Sequence, residues 1–268
     1  MSKTLEGDVD SLVDVNEFVD TLVSNLEIAG IEEKNCGVVS KFITGSIKQK
    51  NKMLLIGKFS TNVADAISAT ICGRTADIIS VINQNVDIEE VIRQINISNS
   101  KVILIENVVS LNEAVTLQLF KQNFDKLIIF ANEISETVNF IPNSLLNHCN
   151  LLCLDNICEK VKEEEFICTD SSDVKFDNQY NKFTYRAAKD ELEKLKGKCI
   201  YSNSHSATKS ELIAIIDDLE ENEGFYSWLL CEGIPNLLLT NNNEIAEEII
   251  DTLQLSEKHT NNLKGMIW

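Results

Sequence analysis

Arginine is scarce in this chain: Arg74, Arg93 and Arg186 are the only three among 268 residues. Acidic residues number 42 against 24 basic ones, for a formal net charge of -18. A surface of that sign as a whole repels phosphate; a local basic patch stays open, though no run of Lys and Arg announces one. Nucleic-acid binding through its own surface is therefore not expected. Long apolar runs are missing as well. None approaches the roughly 20 residues needed to cross a bilayer, so no membrane partner is expected. Met1 to Asp10 is polar and acidic, unlike a signal peptide. Proline (2) and glycine (10) are few, which suits long helices and short connections. Regular cysteine spacing is also lacking. The 8 cysteines are scattered through mostly apolar runs, as at Cys72, Cys153 and Cys231, and read as reduced, buried thiols of a cytoplasmic protein.

What is present is enough for a core. Hydrophobic residues make up 44% and the mean hydropathy is -0.06. Apolar spacing predicts helices over Asp14 to Ile28 and Glu33 to Ile47. The pattern then alternates. Short apolar runs predict strands at Met53 to Ile56, Ala76 to Val81, Lys101 to Ile105, Leu127 to Phe130 and Leu151 to Leu154. Helical periodicity fills the gaps at Asn62 to Cys72, Asp87 to Ile97 and Leu111 to Phe124, with a helical turn at Ser144 to Leu146. The class is α/β: a five-stranded parallel sheet with helices on both faces, plus a mainly helical C-terminal domain. Cys158 to Asn181 reads as a connector. Helices return at Tyr185 to Lys196, Lys209 to Leu219 and Glu244 to Leu253. The chain divides into an N-terminal helical segment (1–50), an α/β core (51–156) and a mainly helical lid-like part (157–268).

The first strand ends at a glycine and a polar turn that opens a helix, where α/β proteins hold phosphate. The P-loop pattern asks for Gly, four residues, then Gly-Lys-Ser/Thr. Here Gly57 is followed by Lys58, Phe59, Ser60 and Thr61, and then by Asn62, Val63 and Ala64. Val63 has no charge for a phosphate, and Ala64 has no hydroxyl for magnesium. Lys58, Ser60 and Thr61 remain as candidate anion contacts. The third strand ends in Glu106-Asn107, where a Walker B motif carries Asp and usually Glu. Glu106 keeps a carboxylate, while Asn107 cannot take a proton. The fourth strand ends in Asn132, and Pro142-Asn143-Ser144-Leu145-Leu146-Asn147-His148 follows.

Taken in order, these segments resemble the AAA+ branch of the P-loop NTPases, clamp-loader-like subunits in particular, over about Lys52 to Asp155. The resemblance implies a sensor role for Asn132, and an arginine near Asn147-His148 that would serve a neighbouring subunit. No arginine stands there. It also implies ring or partial-ring assembly, with Arg186 at the place of a second sensor. Hydrolysis does not carry over, so no catalytic residue and no cofactor are expected. The expected function is a non-hydrolysing scaffold or assembly subunit acting through a protein partner or as a homo- or hetero-oligomer. Its rivals are an ATPase using ATP and magnesium through Lys58, Ser60 and Glu106, and a stand-alone regulator that binds a ligand or protein.

Plainer readings stand beside these. The Gly57 turn suits an unrelated doubly wound fold, Glu106 a salt bridge, and Asn132 a turn. His148, Cys149, Cys153, Cys158 and Cys168 are too irregularly spaced for zinc, and no metal is expected. His205, within Ser202-Asn203-Ser204-His205-Ser206, reads as a solvent-exposed loop histidine, and His259 as a plain surface residue. Phe225, Tyr226, Trp228, Leu229 and Leu230 read as core of the C-terminal part.

Overall fold

The apolar stripe of Phe18, Leu22 and Leu26 forms one side of helix α1 (Val15–Ile28). Asp14 starts the helix by accepting hydrogen bonds from the Asn16 and Glu17 N–H groups at 2.8 and 3.0 Å. In the computed structural model, residues 9–81 and 87–267 are described. Most of the Met1 to Asp10 segment lies outside that range. A two-residue strand, β1 (Asp10–Ser11), precedes α1, and α2 (Glu33–Lys48) follows it.

The alternating part runs β2 (Met53–Ile56), α3 (Ser60–Cys72), β3 (Asp77–Ser80), α4 (Ile88–Ile97), β4 (Val102–Glu106), α5 (Glu113–Lys121), β5 (Leu127–Asn132), α6 (Asn143–His148) and β6 (Asn150–Cys153). The five longer strands form one parallel sheet in the order β3-β4-β5-β2-β6. Its side chains alternate between two apolar layers. Met53, Leu55, Val102, Leu104, Ile129 and Leu152 pack with α1, α2 and α3. Leu54, Ile56, Ile103, Ile105, Phe130 and Leu151 pack with α4, α5 and α6. Both faces of the parallel sheet are covered, as strands that are apolar on both sides require.

Beyond the sheet, β7 (Thr169–Asp170) pairs in parallel with β1. The region read as a connector thus carries a strand, too short to leave a periodic signal. Helices α7 (Lys182–Lys194), α8 (Asn203–Leu219), α9 (Gly224–Trp228), α10 (Ile234–Leu239), α11 (Asn243–Thr252) and α12 (Glu257–Lys264) complete the chain. Their apolar residues, among them Leu212, Ile216, Trp228 and Leu230, join the same cluster as α1 and α2. Between α9 and α10 the helix widens to a π turn over Leu229–Gly233. Pro235 explains the break in regularity. It has no N–H to donate, and its ring crowds the carbonyl four residues back.

That widened turn carries Glu232, which is 3% exposed and lies against the free edge of β6. Asn150 and Leu154 direct their N–H groups toward β2, so Leu151 N–H and Cys149 C=O point away from the sheet. Leu151 N donates to Glu232 Oε2 at 3.2 Å, and Lys209 Nζ donates to Cys149 O at 2.8 Å. Lys209 and Glu232 are themselves 2.9 Å apart. Lys209 also donates to Asn150 Oδ1 at 3.1 Å, and Asn150 Nδ2 donates to Ser46 Oγ of α2 at 3.0 Å. A buried ion pair therefore joins α8 and the π turn to the sheet edge and to α2.

His205 belongs to this cluster, and its expected exposure is corrected. It is 2% exposed on α8, with Nε2 3.5 Å from Glu232 Oε1. The polar string before it is not a loop. Ser202 accepts from the His205 N–H at 3.0 Å and so caps α8. Cys72, expected to be buried, is only half-buried, whereas Cys153 and Cys231 are buried.

Burial pushes the Glu232 carboxyl up, but the Lys209 cation and His205 more than offset this and hold it below the ordinary carboxylate range. Ionised Glu232 therefore stabilises the fold above about pH 4.3, and that contribution drains away as pH falls through the lowered folded value. Lys209→Met removes the cation and leaves the buried carboxylate with only His205 and the Leu151 N–H beside it. We expect a loss of about 3–5 kcal/mol by urea denaturation. In that variant the largest lowering influence is gone while burial, His205 and the Leu151 N–H remain, so acidification through the carboxylate range should cost less stability than in the wild type. Lys209→Met/Glu232→Met removes the lone charge but orphans the Leu151 N–H and the Cys149 C=O, so it should recover only part of the loss.

Candidate functional site

The carboxyl ends of β2, β4 and β5 lie side by side and bring together most of the residues singled out from the sequence. Gly57 leaves β2 with φ of 126°, a backbone region that side chains rarely adopt. Its N–H donates to Asn132 O at 2.9 Å, and its carbonyl accepts from Ser60 N at 3.2 Å and Ser60 Oγ at 2.6 Å. The turn is therefore only residues 57–59, and α3 is already helical at Ser60, two residues before the predicted start. A phosphate-cradling loop needs several successive N–H groups turned toward one anion. Here the Ser60 N–H turns back to the Gly57 carbonyl instead.

Val63 and Ala64, at the positions of the P-loop lysine and hydroxyl, are both 0% exposed in the apolar layer under α3. Neither points toward the sheet edge. The Lys58 N–H faces an anion that the chain itself supplies, Asp155 Oδ1 at 3.3 Å. That carboxylate lies so close to the turn that a Cβ on Gly57 would fall 2.5 Å from it. Lys58 is exposed, with Nζ 5.6 Å from the Phe59 ring centre. Asn62 is half-buried in the first turn of α3.

Thr61 and Glu106 are brought together. Thr61 Oγ1 lies 3.1 Å from Glu106 Oε1 and 3.3 Å from Glu133 Oε1, and Ser80 Oγ donates to Glu106 Oε2 at 3.0 Å. Asn132 is not part of this group. It continues the face of Ile128 and Phe130, whereas Glu106 continues that of Val102 and Leu104. Asn132 Nδ2 donates to Ile134 O at 2.7 Å and Thr137 Oγ1 at 2.9 Å, which commits it to its own loop. Asn107 has φ of 57°, a left-handed position where asparagine is favoured, and opens a short 3-10 turn. Arg186 is exposed on α7.

Sequence reasoning missed Glu133, Asp155 and Ser80. Glu133 directly follows the residue chosen for the sensor place, and strand alternation puts it on the opposite face, with Glu106. Three carboxylates, Asp155, Glu106 and Glu133, thus stand beside the turn and the first residues of α3. The field reaches inward as well. Burial raises the Asp65 carboxyl; the Ala76 N–H opposes this, while the Glu106 charge adds to it. The gap beside the turn, lined by Ile56, Cys153, Asp155, Pro235 and Leu238, has a volume of about 170 Å³. Pockets for nucleotide-sized ligands start at roughly 300 Å³.

All eight cysteines are free. Burial pushes the Cys36, Cys158 and Cys199 thiols up to about 12, and Cys149 and Cys153 are raised too. Among the described residues, no three His, Cys, Asp or Glu side chains gather into a metal ligand set. No helix among them is long and apolar enough to cross a membrane. No protein-family model matches the chain, and no curated protein matches it.

Two substitutions check this geometry. Val63→Lys places a charge in the apolar layer and should destabilise the protein by about 3 kcal/mol or more in urea denaturation. Gly57→Ala should cost about 1–3 kcal/mol through its backbone angle and its clash. Adding Asp155→Ala should relieve only the clash component.

Proposed function

We propose that this chain is an AAA+-like core that has lost nucleotide handling and serves as a non-hydrolysing scaffold or assembly subunit. It acts through protein contacts beside an active ATPase or effector. The observation that carries this reading is the state of residues 57–64: a three-residue turn closed on Asp155, with Val63 and Ala64 buried where a cation and a hydroxyl would be needed. Phosphate transfer depends on positioned charge, and the charge here is of the wrong sign.

Strand order supports the likeness. Numbered among themselves, the five parallel strands lie in the order 2-3-4-1-5. This is neither the Rossmann order 3-2-1-4-5-6 nor the flavodoxin order 2-1-3-4-5. It sets β5, the strand expected to carry the sensor, between the strands of the Gly57 turn and of Glu106. Fold alone does not carry function, so the protein-contact half of the proposal rests on surface. Ile134 (59% exposed) and Phe140 (73%) stand on the segment after β5, at the edge that bears the turn. Exposed apolar side chains of that size are what a protein interface buries.

A ligand specific for the native state must raise its melting temperature. ATP with magnesium at millimolar concentration should raise Tm by less than about 1 °C and show no turnover, on the scale where 1 kcal/mol shifts Tm by a few degrees. A clear Tm increase with phosphate release would establish the ATPase rival using Lys58, Ser60 and Glu106. Affinity capture from native cells should recover an ATPase with the wild type and lose it with Ile134→Ser/Phe140→Ser. A strict monomer by light scattering, with no co-purifying ATPase, would end the scaffold reading.

A further inference from the structure

The opposite edge of the sheet, where β2, β4 and β5 begin, holds a cavity of about 780 Å³. That volume lies within the range of small-molecule sites, roughly 300–1,000 Å³. Four lysines converge on it, Lys50, Lys52, Lys101 and Lys126, against a single lining acid, Asp125. In a chain of net charge -18, such a local excess of cations runs against the general field.

Two of the four are occupied. Lys126 Nζ donates to Ile95 O and Ser98 O, both at 2.6 Å. Lys101 Nζ donates to Ser172 Oγ at 2.8 Å and lies 3.5 Å from Asp170 Oδ1. Lys50 and Lys52 make no ion pair among the described residues. Lys52 is half-buried, with Nζ 5.2 Å from the Phe120 ring centre, and burial lowers its pKa. Lys50 holds φ of 56° just past the end of α2, a left-handed position that glycine or asparagine ordinarily takes. A cation near a helix C-terminus interacts well with the helix dipole, which accounts for charge at Lys50 but not for Lys52, at the start of a strand. Phe124, Phe176 and Ile71 supply apolar wall between the lysines.

We infer that this cavity binds a small organic anion with an apolar body, the anionic group against Lys50 and Lys52 and the body along Phe124 and Phe176. The site is independent of the scaffold reading and lies at the other end of the strands from the Gly57 turn.

Calorimetry on the full chain with three probes separates the chemistries: decanoate carries both features, decanol only the body, and inorganic phosphate only the charge. Decanoate below its micellar range should bind one saturable site, at least about tenfold more tightly than either other probe, as expected for one charge-assisted contact added to apolar burial. Lys50→Asn suits the left-handed angle and removes the charge. Alone or with Lys52→Gln, and with far-UV dichroism and Tm unchanged, it should weaken decanoate binding by about tenfold. If the double variant does not fold, the single variant and amide chemical-shift changes confined to the cavity lining, residues 50–52, 71, 122–128 and 171–176, carry the test. Absence of saturable decanoate binding, equal binding of decanol or phosphate, unchanged affinity in Lys50→Asn, or shift changes mapping elsewhere would each overturn the proposal.

Discussion

The exposed side of an edge strand is the constraint on which most of this structure depends. A parallel sheet ends in two strands whose outward N–H and C=O groups lack partners. At β6 those groups are buried under helices, out of reach of bulk water, so the fold must supply partners. It supplies ions: Glu232 for Leu151 N–H and Lys209 for Cys149 C=O. Burying a carboxylate and an ammonium costs several kcal/mol each, and their mutual attraction recovers this only when their other hydrogen-bonding sites are filled. Here the sheet edge fills them. Sealing the edge and satisfying the ions are one event, which ties the C-terminal helices to the sheet.

The same docking shapes the carboxyl edge. The π turn that aims Glu232 at β6 leads straight into α10, and Pro235, Leu238 and Leu239 of that helix close over the ends of β2 and β6. In open α/β sheets this crevice is where ligands sit. Here it is reduced to a small gap beside a turn already closed on Asp155. The narrowness of the candidate site and the anchoring of the C-terminal half therefore share a cause, the path of the chain from Gly224 to Leu239.

Much of the fold was legible because buried parallel strands are continuous apolar runs: Met53 to Ile56 and Leu151 to Leu154 admit little else. The register of the Gly57 turn was legible too, since glycine punctuates a strand end. What pairwise contact decides was not. Glu232 lies in an apolar stretch with no hint that Lys209, 23 residues earlier, is its partner. His205 was misread because serines and asparagine around it mimic a loop. In fact Asn203, Ser204 and Ser206 lie within α8, and Ser202 caps it. Asn132 was chosen by its place at a strand end. Strand alternation, applied one step further, sends Glu133 rather than Asn132 to the face of Glu106.

The chain's acidity is also not evenly spread along the strands. The N-terminus of α3 carries the positive end of a helix dipole, with no side chain capping it. Asp155, Glu106 and Glu133 stand around it, so the potential that elsewhere draws a phosphate is answered from within the molecule. At the amino ends of the same strands, Lys50, Lys52, Lys101 and Lys126 line one cavity together with Phe124 and Phe176. The sheet is thereby polarised against the usual arrangement, with anions at its carboxyl edge and cations at its amino edge.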